Sequence, residues 1–326
     1  MKLLTIKHVM ALGLSLWMLA AHAADVFPSR PIKIIVPIAA GGATDVQARA
    51  MAEELQKKLK TSVVVENKPG GNFVIGNAAV ASAPADGYTI GWALSAAMAL
   101  NPLLYKNLPY KPGDFQFLAP VSKGHHVIAL PASAKASTLT EWIAEVKQSG
   151  QPAAVGVSSV GGTTHLMAEI VGERAGFAVQ PVLYRGEAPA VLDLMANQLP
   201  AMSGIVASVL EPYKAGKVKI LAISSEKRIP ELPNVPTFKE LGYDFVVTYW
   251  NGMVAPAGTP KPIVEKLSTA IREVVASPEF QARISASVPD MHIIQGDAQT
   301  MGQMIKDDTA FWSRIIKSRN ISINNN

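Results

Sequence analysis

The sequence predicts an α/β protein of two domains with mainly parallel sheets, in which the chain crosses from one domain to the other and back. Three observations carry this reading. At 326 residues the chain is long enough for two domains. Short β-branched runs alternate with helical stretches through both halves, the pattern of repeated βαβ units. Two long apolar runs, near residues 119–128 and 246–254, read as strands that leave the first sheet and later return to it. They predict a discontinuous first domain, 24–123 with 248–326, and an inserted second domain, 124–247.

The elements follow in order. Ile32 to Val36 is a β-branched strand ended by Pro37, which cannot donate to a ladder. Gly41 and Gly42 turn the chain into a helix opened by Thr44 and Asp45 and running to about Lys60. Strands over Ser62–Glu66 and Tyr88–Leu94 flank a helix over Phe73–Ala83, a right-handed crossover by default. Asn101 to Pro112 reads as irregular. Phe117 to Leu130 is the first crossing strand. Thr138 with Glu141 forms a capping box for a helix ended by Gly150.

In the second half, Ala153 to Val157 is a strand, Gly161 and Gly162 turn the chain, and a helix runs from about His165 to Gly176. This repeats the opening plan. Val179 to Tyr184 is a strand, followed by Arg185-Gly186-Glu187 and a helix over Ala188–Asn197. Strands are expected over Met202–Val206 and Val218–Ser224, and a proline-rich loop over Glu226–Thr237. Phe245 to Ala255 is the returning strand. Helices over Pro260–Ala276, Pro278–Ile284 and Gln299–Ser318 close the chain before a polar tail.

Composition narrows the function. Apolar residues are 49% and charged residues 17%, the balance of a folded globular chain. The net charge is +5, and Lys2 and Lys7 lie in a segment with no acid. Residues 1–23 read as a secretory signal: a charged start, an apolar stretch from Val9 to Ala21, and a small-x-small site at Ala21-His22-Ala23. Cleavage there would leave a soluble mature chain starting at Ala24, in a bacterial periplasm. There is no cysteine, which excludes thiol catalysis and Cys-ligated zinc. No basic cluster with interleaved aromatics points to nucleic acid.

A strand, a glycine turn and a helix N-terminus make a seat for an anion, because the first N–H groups of a helix lack intrahelical acceptors. Gly41-Gly42 lacks the G-x-G-x-x-G and Walker A spacings of nucleotide sites. The favoured occupant is a small carboxylate; glycines serving the tight turn alone are the alternative. Ser158 and Ser159 sit where a nucleophile elbow would, but the closing glycine is missing, and their hydroxyls serve better as donors or caps. His125 and His126 are adjacent on a strand and point to opposite faces, so they do not share a metal easily. Arg185 is placed to clamp a carboxylate or to be a surface charge, and Trp250 to wall a pocket or to fill a core.

The chain resembles the substrate-binding receptors of tripartite tricarboxylate transporters, the Bug family. Pro28 to Asp45, Val64 to Asn72 and Ala85 to Thr89 carry the likeness in the first half. Thr163 to Glu169, Tyr184 to Ala190 and Ala255 to Pro260 carry it in the second. The resemblance implies a type II-like periplasmic binding protein fold that closes on a small organic acid and delivers it to membrane permease subunits. It implies a ligand seat of Ala39, Ala40, Gly41, Gly42 and Thr44 on one wall. Ser158, Ser159, Gly161, Gly162, Thr163 and Thr164 form the other wall. Ser95, Tyr184, Arg185 and Gly186 line the cleft, and Ser203 and Trp250 tune the choice of ligand. No cofactor, metal or catalytic residue is expected, and the protein is expected to act as a monomer. A ligand-sensing subunit for a membrane signalling protein, or a secreted serine hydrolase, is the alternative. One place departs from the family: Pro200 and Gly204 stand where acids usually stand, which suggests a ligand without an amine or a wider pocket.

Overall fold

A computed structural model describes residues 27–159, 161–288, 290–319 and 321. The expected secretory segment lies outside the described residues. Strand β1 (Ile32–Val36) is buried along almost its whole length and pairs in parallel with β2 (Val63–Asn67) on one side and β3 (Thr89–Leu94) on the other. Helices α1 (Ala43–Leu59) and α2 (Val74–Ala81) make the crossovers. After β3 the chain enters a π-helical turn, Ala96–Leu100, that continues into α3 (Asn101–Leu104). This stretch was expected to be irregular from Asn101 onward. The buried Asn101 amide orders it by donating to the Asn72 carbonyl at 2.8 Å and to the Tyr110 hydroxyl at 3.1 Å.

Strand β4 (Phe115–Pro131) is the longest, and it carries the chain between sheets. Up to His125 it pairs antiparallel with β9 (Thr248–Pro256), which in turn pairs antiparallel with β3. From His126 it pairs antiparallel with β7 (Met202–Ile205), and from Val127 also with β8 (Val218–Ile223). Two register shifts flank Pro120, which has no N–H to give the ladder. In the second sheet β5 (Ala153–Val157) pairs in parallel with β6 (Val179–Leu183) and β7. The fold is therefore two-domain α/β with two crossover strands. The sheets are mixed and not mainly parallel, because the crossing strands run against every neighbour they meet.

The helices of the second half are α4 (Leu139–Ser149), α5 (Thr163–Ala175), α6 (Glu187–Met195) and α7 (Val206–Lys214). The Thr138–Glu141 capping box is formed at the start of α4. Helix α7 was not expected. Its β-branched start extends the run from β7, and Pro212 lies in its last turn, where a proline's missing N–H still leaves a short helix intact at the start. Helices α8 (Lys261–Ala276) and α9 (Pro278–Ser287) precede a short strand β10 (His292–Ile293) on the edge of β4, also unexpected. The last helix, α10 (Ala298–Ser318), touches both cores: Met301 and Ile305 belong to the core that holds Trp92 and Met253, whereas Trp312 and Ile315 belong to the core that holds Leu166 and Ile170. No helix of the described residues is long and apolar enough to cross a membrane.

Candidate ligand site

The first glycine turn lies beyond the C-terminal end of β1. Ala39, Ala40, Gly41 and Gly42 are exposed there, and Thr44 is half-buried. Gly41 has φ +92°, a conformation L side chains rarely adopt. Gly42 is the N-cap of α1 with φ −82° and ψ 170°, and no side chain caps the helix. The amides of Ala43 and Thr44, in the first turn, therefore have no intrahelical acceptor. Asp45 sets the shape of the turn. Its carboxylate accepts from the Gly41 N–H at 3.0 Å, Arg49 Nε at 2.9 Å and Asn67 Nδ2 at 2.8 Å, and Asn67 also donates to the Ile38 carbonyl at 3.1 Å. Burial pushes the Asp45 carboxyl up, but the bonds from Arg49, Gly41 and Asn67 outweigh it and hold the group below its usual value.

The second turn copies the first. Gly161 has φ +71°, and Gly162 is the N-cap of α5 with φ −75° and ψ 170°, again with no side-chain cap. A Cβ on Gly162 would meet Ser159 Oγ, so a larger residue there requires the Ser159 hydroxyl to turn away. The Gly161 N–H donates to His165 Nδ1 at 3.0 Å, as Gly41 does to Asp45. With Nδ1 accepting, the imidazole proton sits on Nε2, which lies 3.6 Å from Glu169. Glu169 also pairs with Arg319 at 2.7 Å. Burial raises the Glu169 carboxyl, and the His165 and Arg319 contacts more than reverse it. Ser158 and Thr164 join hydroxyls at 3.0 Å, and the Ser158 N–H donates to Thr164 Oγ1 at 3.2 Å. Thr163 is half-buried at the helix start. His165 therefore faces Gly161 and Glu169 and does not serve Ser158 or Ser159 as a base.

The third turn joins β6 to α6. Gly186 is the N-cap with φ +102°. Tyr184 donates its hydroxyl to Asp193 Oδ2 at 2.8 Å and is held against α6, while Arg185 is exposed. Glu187, which the sequence reading did not single out, is half-buried. Its Oε2 accepts from Ser208 Oγ at 2.9 Å and from the Ile205 N–H at 3.4 Å. Burial pushes its carboxyl up to about 7, against weaker opposing bonds from Ser208, Ile205 and Ser158. The strand pairing puts the ends of β5, β6 and β7 side by side, so Ser158, Glu187 and Ile205 meet.

Three expected cleft residues lie deeper. Trp250 is 1% exposed, packs in the first core and donates from Nε1 to Asp308 at 2.7 Å, so it fills a core and does not wall a pocket. Ser95 is buried, and its hydroxyl accepts from the Trp250 N–H at 3.3 Å. Ser203 is fully buried on β7. His125 and His126 take different neighbours, His292 at 5.4 Å and Tyr249 at 5.5 Å between ring centres. Burial lowers them to about 3 and about 4, so both are neutral at pH 7. Among the described residues no group of three His, Cys, Asp or Glu is placed to hold a metal.

Residues 47–321 match the profile of the tripartite tricarboxylate transporter family receptor. The chain belongs to this family. Relatives of this receptor include protein BugT of Bordetella pertussis, 35% identical over 91% of this chain and 92% of BugT. The solved periplasmic binding protein BugD superposes with a TM-score of 0.80 at 33% identity, covering 91% of this chain and 99% of BugD. The R. palustris protein Rpa4515, solved with adipate, superposes at 0.82 with 28% identity over 91% of this chain and 99% of its own. The receptor's family is one of periplasmic binding proteins that serve transport, not of enzymes.

Proposed function

We propose that this receptor captures a small organic carboxylate between its two glycine turns and hands it to the integral membrane permease subunits of a tripartite transporter. The observation that supports this most is the pairing of the turns. Each offers uncapped helix amides, each holds its glycines with a side chain four residues on, and each lies at a strand end. Ala39, Ala40, Gly41, Gly42 and Thr44 form one jaw. Ser158, Ser159, Gly161, Gly162, Thr163 and Thr164 form the other, flanked by Tyr184, Arg185 and Gly186. The relative solved with adipate binds an acid of this kind.

Magnitudes favour a shared ligand. A hydrogen bond to a charged group contributes about 1.5–3 kcal/mol, and binding at about 1 mM and about 1 μM needs about 4 and about 8 kcal/mol. One jaw suffices for the first figure and two are needed for the second. Closure of 124–247 onto 24–123 with 248–326, bending through β4 and β9, brings the jaws together and lets the ligand stabilise the closed state. The mature chain starts near Ala24, diffuses in the periplasm and works as a monomer. Mass spectrometry of small molecules released from protein purified after export tests the reading: a recovered organic acid supports it, and recovery only of uncharged compounds opposes it.

A further inference from the structure

We propose that Glu187 sets the ligand class of this cleft, selecting carboxylates that also carry a cationic nitrogen. This rests on the carboxylate-receptor reading above.

The position comes first. Glu187 opens α6, and its carboxylate reaches across to the Ile205 N–H and the Ser208 hydroxyl at the start of α7. The Ser158 hydroxyl is near enough to favour its charged form, and that hydroxyl itself lies 3.0 Å from Thr164 Oγ1. The carboxylate thus lies on the side of Ser158 and Thr164, at the N-terminus of α5, where the ligand's acid group would sit.

Its surroundings hold no countercharge. Among the described residues no lysine or arginine pairs with it. The ionisable groups that face it from the first domain are Tyr249, whose phenol the Glu187 charge pushes further up, and beyond it Asp290, which accepts from the Ala207 N–H at 3.1 Å. On its own element, Asp193 is engaged by Tyr184, and the neighbouring Arg185 is exposed. A half-buried carboxylate held only by neutral donors gains most from an incoming cation.

The space is consistent with this role. A Cβ on Gly204 would lie 2.9 Å from Glu187 Oε2, so the carboxylate occupies the room that a side chain at 204 would need. The negative charge at this place comes from the start of α6. A cationic nitrogen on the ligand differs from the expectation drawn from Pro200 and Gly204, which was a ligand without an amine or a wider pocket.

Calorimetric titration of the mature chain with matched acids tests this: aspartate against succinate, and 4-aminobutyrate against butyrate, at about pH 6 and about pH 8. Wild type is expected to prefer the amino member of at least one pair by about tenfold or more, the increment of one charge-assisted bond. The preference grows towards about pH 8 as the Glu187 carboxyl ionises. Glu187→Gln, equal in size and uncharged, brings the ratio to about one, and Glu187→Asp restores part of it. Thermal unfolding of both variants establishes that they fold.

A ratio unchanged in Glu187→Gln overturns the proposal. So does a preference for succinate that weakens towards high pH, which would mark a protonated Glu187 donating to a second carboxylate. If succinate and butyrate bind as well as their amino partners, Glu187 loses its role while the receptor reading stands. If no acid binds at all, both fall.

Discussion

Asp45 and His165 stand at the same place in two copies of one turn, each accepting the amide of the first glycine of its pair at 3.0 Å. Both lie four residues from a partner of opposite character, Arg49 for Asp45 and Glu169 for His165. The charge pattern is inverted between the jaws while the backbone is conserved between them. Each amide so held is already paired, so under the proposed function the N–H groups further into the helix would hold the acid.

Asp45 should stabilise the first turn with a particular pH signature. Its folded value lies below the unfolded 3.8, so its contribution is complete above that value and is lost as pH falls through the folded one. Asp45→Asn is expected to cost about 1–3 kcal/mol at neutral pH. Urea unfolding should show the gap to wild type closing only below about pH 4.

Asp308 should behave in the opposite sense. Burial lifts its carboxyl to about 6 even though the Trp250 indole N–H donates to it. Ionising it therefore destabilises the folded state above about 6, and the penalty fades as pH falls towards the unfolded value. Asp308→Asn keeps an acceptor for Trp250 without the charge. It is expected to raise stability by about 1–2 kcal/mol near pH 8 and by little near pH 4, read by urea unfolding at the two values.

Arg319 ties the end of α10 to the second domain through the buried Glu169. Arg319→Ala leaves Glu169 with His165 alone and is expected to cost about 1.5–3 kcal/mol. Hydrogen exchange should show faster opening of the last turn of α10, with little change in β1 or β3.

Gly41→Ala isolates backbone strain, since a Cβ there meets no atom within 4 Å while φ is +92°. A stability loss of about 1–2 kcal/mol is expected, with weaker acid binding as the turn relaxes. Thermal unfolding and calorimetry report the two effects separately.

The two glycine turns were legible in the sequence because each is local: a β-branched strand, paired glycines and a hydroxyl-bearing helix start fall within about a dozen residues. The crossing by β4 was legible because its apolar run is long enough to pair in both sheets. Helix α7 was not, since its first residue, Val206, reads as the end of a strand over Met202–Val206. Glu187 was invisible for another reason: its neighbours Ser158, Ile205 and Ser208 come from other strands and helices, and only the order of β6, β5 and β7 brings them together. Trp250 reads equally as wall or core until its indole is seen bonded to Asp308.

The most direct test of a ligand shared by two turns is calorimetry on Gly42→Val. A Cβ at Gly42 meets only Ile38 Cδ1, at 3.8 Å, and φ −82° suits any residue, so the backbone accepts a side chain there, at the start of α1. With the tightest-binding of succinate, adipate and aspartate, affinity is expected to fall about tenfold or more, with thermal unfolding nearly unchanged. Wild-type affinity in a folded Gly42→Val protein would contradict the account.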